Sequence, residues 1–189
     1  MKVALYFGSF NPIHNGHLII ANYVLQNSDV DQVWFVVSPQ NPFKSESALL
    51  NEYQRLHLVN LAIEGEPKLK ATNIEFGLPK PSYTVNTLAY LKEKYPEHTF
   101  VILMGSDSFQ NIHKWKNASV ILKNYPLYIY PRPGFEITET HGANITQLNA
   151  PLVEISATHL RKLIKTGKTI RYLVPDKVLE EITKAGYYR

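Results

Sequence analysis

The stretch Gly8-Ser9-Phe10-Asn11-Pro12-Ile13-His14-Asn15-Gly16-His17 constrains this chain more than any other, because it joins two unlike elements. Residues 2–7 are a short apolar run rich in β-formers, which predicts a buried strand. Residues 18–25 carry apolar side chains at helical spacing, which predicts a helix. A strand-to-helix turn leaves backbone N–H groups at the helix N-terminus, and these favour anions. Gly8 and Gly16 are expected to let the chain turn sharply and a ligand approach the backbone, while Pro12 fixes φ and stiffens the loop. His14 and His17 are three apart and face one point if the helix already begins at Asn15 and Gly16. Two imidazoles beside free N–H groups make a receptor for a phosphate whose charge grows during reaction. A merely structural loop is another reading, and so is part of a zinc site. With no cysteine in the chain, zinc would need distant His, Asp or Glu ligands.

The order of the remaining elements predicts an α/β fold with a doubly wound, Rossmann-like parallel sheet and helices on both faces. Further strands are expected at 32–37, 69–76, 100–104, 126–130 and 152–155. Helices are expected at 52–63, 82–94, 158–166 and 175–185, the last two forming a small helical C-terminal part. The Pro/Gly/Thr-rich stretch 131–147 reads as a surface excursion. No repeat or linker breaks the chain, so residues 1–189 are expected to form one domain. In such sheets ligands sit beyond the carboxyl ends of the strands, which places segments 8–17, 38–44 and 105–107 on one rim.

A second segment carries chemistry. In Ile155-Ser156-Ala157-Thr158-His159-Leu160-Arg161, Ser156 or Thr158 can cap a helix whose N–H groups point outward. Arg161 lies one turn in and can reach a polyphosphate with its guanidinium. An ordinary cap with a solvated arginine is the plainer reading of the same residues.

Gly8, Phe10, Pro12, His14, Gly16 and His17 spell G-x-F-x-P-x-H-x-G-H, which resembles the first signature of the nucleotidylyltransferase superfamily. Segment 155–161 resembles its second, I-S-S-T-x-x-R, with Ala157 in place of the second serine. The segments Asn41-Pro42-Phe43-Lys44, Pro81-Ser82-Tyr83-Thr84, Gly105-Ser106-Asp107, His113-Lys114-Trp115, Pro131-Arg132-Pro133-Gly134 and Arg171-Tyr172-Leu173-Val174-Pro175 follow in order. Together they are similar to the bacterial nicotinate-nucleotide adenylyltransferase family over nearly the whole chain.

That resemblance implies adenylyl transfer from ATP to nicotinate mononucleotide, giving nicotinic acid adenine dinucleotide and pyrophosphate in NAD biosynthesis. It implies direct attack by the acceptor phosphate on the α-phosphorus, with Mg2+ bound mainly through the ATP phosphates and no protein metal ligand. The implied catalytic residues are His14, His17, Lys44 and Arg161. ATP is implied to lie on Gly8, Ser9, Phe10, His14, Gly16, His17, Gly105, Ser156, Thr158 and Arg161. The acceptor is implied to lie on Ser9, Lys44, Tyr83, Thr84, Asp107, Trp115 and Arg132. Trp115 offers a flat face for a pyridine ring, Tyr83 and Thr84 offer donors, and Asp107 an acceptor for ribose hydroxyls. Gly8-Ser9 and Asn11 stand where many relatives carry Gly-Thr and Asp, and Asn86 where Asp is usual.

Composition narrows the alternatives. No apolar run approaches the roughly 20 residues of a membrane span, and the N-terminus lacks a secretory layout, so a cytoplasmic protein is expected. The net charge of +4 and the pI near 9.1 permit nucleic-acid binding, yet no block of like charge appears. Small phosphorylated ligands are therefore the expected partners, rather than nucleic acid or membrane, and a homo-oligomer stays open. The nearest rival readings are a pantetheine-phosphate adenylyltransferase and a nicotinamide-mononucleotide adenylyltransferase. A nucleic-acid-binding or regulatory nucleotide-binding module is the rival outside enzymes.

Overall fold

The computed structural model describes residues 1–40 and 49–189. Six strands form one sheet: β1 (Lys2–Gly8), β2 (Gln32–Val37), β3 (Leu69–Thr72), β4 (Thr99–Gly105), β5 (Leu127–Tyr130) and β6 (Ile145–Gln147). Their order is β3-β2-β1-β4-β5-β6, and every pairing is parallel. A parallel sheet must be covered on both faces, which explains why its central strands are continuous apolar runs. Alternate residues serve opposite layers. Ala4, Tyr6, Val33, Phe35, Val101 and Leu103 pack with α1 (Asn15–Asn27), α2 (Glu52–Ala62), α6 (Ala157–Lys165) and α7 (Asp176–Ala185). Val3, Leu5, Trp34, Val36, Phe100 and Ile102 pack with α3 (Thr84–Lys94), α4 (Ser106–Gln110) and α5 (Ala118–Asn124). The doubly wound expectation therefore holds, and among the described residues no helix is long and apolar enough to cross a membrane.

Winding runs outward from β1 in one direction and from β4 in the other, so the switch point lies between these two strands. Their carboxyl ends are Gly8 and Gly105. A crevice opens there by topology alone.

Three local expectations need correction. The strand expected at 69–76 stops at Thr72, and Ile74–Gly77 is a 3-10 turn that carries Glu75 inward. The strand expected at 152–155 does not form. Instead β6 takes the sheet edge beside β5, inside the stretch 131–147 that reads from sequence as a surface excursion. Pro151 has no N–H to give a ladder, Leu152 is exposed, and Ile155 packs under the helices. α1 is also longer than expected, beginning at Asn15.

Candidate active site

Helix α1 starts where the two imidazoles need it to. His14 precedes its first residue and His17 lies in its first turn, so the rings stack with centroids 3.7 Å apart and planes 22° apart. The His14 N–H donates to His17 Nδ1 at 3.3 Å, which leaves the neutral His17 ring with its proton on Nε2. Tyr6 and Phe10 present ring edges to His17 at 5.9 and 5.0 Å. His14 is buried, and burial, helped by the charge of Arg132, lowers its pKa to about 4. It is therefore neutral at pH 7.

The glycines act differently from expectation. Neither Gly8 nor Gly16 has a positive φ, so neither backbone conformation calls for glycine. A Cβ on Gly8 would lie 2.8 Å from the Phe10 ring, and one on Gly16 would lie 3.0 Å from His14 Nδ1. Both positions are kept bare by neighbouring side chains of the same loop. The start of α1 is also less open than expected. Asn15 donates from its backbone N–H to the Leu173 carbonyl at 2.9 Å and from its side chain to the Tyr172 carbonyl at 2.7 Å.

At α6, Ser156 is the cap, its hydroxyl accepting from the His159 N–H at 3.2 Å. Thr158 takes another part, accepting from Arg161 Nη2 at 3.2 Å, while Arg161 Nη1 donates to the Asn11 carbonyl at 2.7 Å. The arginine thereby ties α6 to the loop after β1, across 150 positions of sequence. His14, His17, Ser9, Phe10, Arg161, Ser156 and Thr158 line one cavity of about 540 Å³.

A second cavity of about 250 Å³ adjoins it and holds Tyr83, Thr84, Gly105 and Trp115. Gly8, Asp107, Ser108, Tyr6 and Tyr130 line both. Ser9 and Arg132 line the histidine cavity, and Gly105 the tryptophan cavity. Gly16 borders a small recess behind the histidines. Lys44 lies outside the described residues. Among the described residues, no group of three or more His, Cys, Asp or Glu gathers to hold a metal ion.

Two further residues matter here that belong to none of the motifs. Arg55 of α2 is wholly buried, and its guanidinium donates to the carbonyls of Ser9 (2.5 Å), Ser38 (2.8 Å), Pro39 (3.1 Å) and Leu50 (2.7 Å). It knits the loops after β1 and β2 to the start of α2. The sequence does hold a signal for it, since Arg55 shares the buried stripe of Leu58 and Val59 at helical spacing. Asn11 adds a strut by accepting from the Leu50 N–H at 3.1 Å, a task a neutral amide oxygen performs. The second residue, Glu75, is buried on the wall of the tryptophan cavity and accepts from the Thr87 hydroxyl at 2.7 Å. Burial raises its carboxyl above the usual range, against the opposing pull of the Thr87, Ser38 and Ser82 hydroxyls.

A six-stranded parallel sheet with a stacked histidine pair at its switch point defines a nucleotidyltransferase of the cytidylyltransferase-like class, whose family model matches residues 5–163. A Flavobacterium psychrophilum protein named "probable nicotinate-nucleotide adenylyltransferase" is 52% identical, the match covering 100% of both chains. A Bacteroides fragilis protein of the same name is 42% identical over 96% of this chain and 90% of its own. The chain belongs to the nicotinate-nucleotide adenylyltransferase family. In fold it is similar to the nicotinic acid mononucleotide adenylyltransferase of Plasmodium falciparum, solved in complex with NaAD. The TM-score is 0.85 at 21% identity, covering 99% of this chain and 97% of that one.

Proposed function

We propose that this chain transfers the adenylyl group of ATP to nicotinate mononucleotide, yielding nicotinic acid adenine dinucleotide and pyrophosphate in the cytoplasm. One observation carries the reading: two cavities of different chemistry share a wall at the switch point, one with paired imidazoles and Arg161, the other with Trp115. The first suits a triphosphate and the second a flat ring.

An oxygen of the acceptor's phosphate attacks the α-phosphorus. A new P–O bond forms, the α–β bridging P–O bond breaks, and pyrophosphate leaves with that electron pair. No enzyme nucleophile is needed, so catalysis is positioning plus stabilisation of growing charge. His17 donates from Nε2 to the α-phosphate. His14 buttresses that ring and, being neutral, holds His17 in its orientation without placing a charge beside it. Arg161 and the N-terminus of α6 hold the β- and γ-phosphates, with Lys44 and Arg132 assisting. The cavity's donors fit polyphosphate rather than a bare ion, so magnesium would be held by the phosphate oxygens, where it supplies further charge neutralisation. Trp115 stacks on the pyridine ring, Tyr83 and Thr84 donate to its carboxylate, and Asp107, on the shared wall, accepts from ribose hydroxyls.

The test is incubation with ATP, Mg2+ and one of three acceptors: nicotinate mononucleotide, nicotinamide mononucleotide or phosphopantetheine. Pyrophosphate release with the acid as preferred acceptor is expected. A clear preference for either of the others rejects the assignment.

A further inference from the structure

We propose that Lys116 selects the acidic pyridine acceptor over its amide; the inference rests on the function proposed above and names the residue behind its specificity. Lys116 follows Trp115 and lines the same cavity as Trp115, Tyr83 and Thr84. Its ammonium sits 4.5 Å from the centroid of the Tyr83 ring, a contact that keeps it beside the cavity. The charges around that cavity do not cancel it. Asp107 faces Arg132, with Oδ1 3.9 Å from Nε. Glu75 is buried, hydrogen-bonded to Thr87 and biased by burial toward its uncharged form. Among the described residues Lys116 enters no ion pair. A ring face attracts a cation without neutralising it, so a carboxylate entering beside Trp115 meets an uncompensated positive charge.

An amide in the same place gains no such attraction. Lys116 itself is exposed, so the attraction is solvent-screened and worth about fivefold in kcat/KM rather than orders of magnitude. Lys114, two residues earlier, cannot serve in its stead, because its ammonium donates to Asn111 Oδ1 at 2.8 Å and it lies outside the cavity lining.

The experiment measures kcat/KM for nicotinate and nicotinamide mononucleotides, with ATP and Mg2+, in the wild type, Lys116→Met and Lys116→Arg at low and high NaCl. Lys116→Met should lower the acid-to-amide ratio about fivefold, with the amide's kcat/KM and the KM for ATP within twofold of wild type. Lys116→Arg should restore most of the ratio. The wild-type ratio should fall with added salt while that of Lys116→Met does not. An unchanged ratio in Lys116→Met, or equal losses for both acceptors, overturns the inference while leaving the adenylyl-transfer reading intact. A wild type that adenylates neither pyridine acceptor removes both.

Discussion

The two adjoining cavities are built in opposite ways. On the histidine side the chain itself is locked: Arg55 gathers four carbonyls, Arg161 holds the Asn11 carbonyl, and Leu173 receives the Asn15 N–H. On the tryptophan side, Asp107, Ser108, Trp115, Lys116 and Ile121 reach the wall from short elements or the turns between them. α4 has five residues, Ile112–Lys114 is a 3-10 turn, and α5 has seven residues. The rigid half suits a triphosphate, which this chemistry must grip in one geometry. The half made of separate side chains suits discrimination between acceptors, because each side chain can change without disturbing the backbone around it.

Substitutions sharpen or break this contrast. Arg55→Leu leaves four carbonyls without their donor and should cost roughly 3 kcal/mol or more of stability, read by urea unfolding. Arg55→Lys should rescue it poorly, since an ammonium cannot span the same fork. His17→Ala should lower kcat about a hundredfold or more with unchanged circular dichroism. Near-normal turnover in that variant would remove His17 from the chemistry.

The third effect is pH-dependent and also belongs to the locked half. The folded-state pKa of His14, about 4, lies below its unfolded value near 6.5. Unfolded chains therefore take up a proton that the folded protein refuses as pH falls through this window. Stability is full above pH 6.5 and should decline by up to about 2 kcal/mol by pH 5. His14→Asn should flatten that decline, measured by denaturant titration at pH 7 and 5. The smallest effect belongs to the other cavity: Trp115→Leu should raise the KM for the acceptor about tenfold and leave the KM for ATP and the melting temperature nearly unchanged. If Trp115→Leu melted the protein as Arg55→Leu does, the division into a rigid and a permissive half would fail.

Local order decides what can be read from the sequence. β1, the six residues after it and α1 follow one another directly, so a short apolar run, then a turn, then helical spacing can be traced along the residues themselves. The buried runs of β2 and β4 are equally plain. Pairing partners are not: nothing in Ile145-Thr146-Gln147 announces that it takes the sheet edge, since its place along that edge is set by β5. Residues 74–77 look like the continuation of a strand, and only burial of Glu75 against Thr87 shows why the chain tightens there. The histidine pair is legible because its members stand three residues apart. Arg55 and Glu75 are harder to find, because their partners lie 5 to 46 and 12 positions away and are main-chain carbonyls or a hydroxyl with no sequence mark.

The bond from Arg161 to the Asn11 carbonyl bears on how the protein is born. Residues 9–17 leave the ribosome early, yet the guanidinium that steadies them and the Tyr172 and Leu173 carbonyls that hold the start of their helix emerge some 150 positions later. A nascent chain can lay down β1, β2 and β4 long before its nucleotide site is finished. Competence to bind ATP tightly should therefore switch on late in translation, when the α6 segment and the turn after it have cleared the exit tunnel.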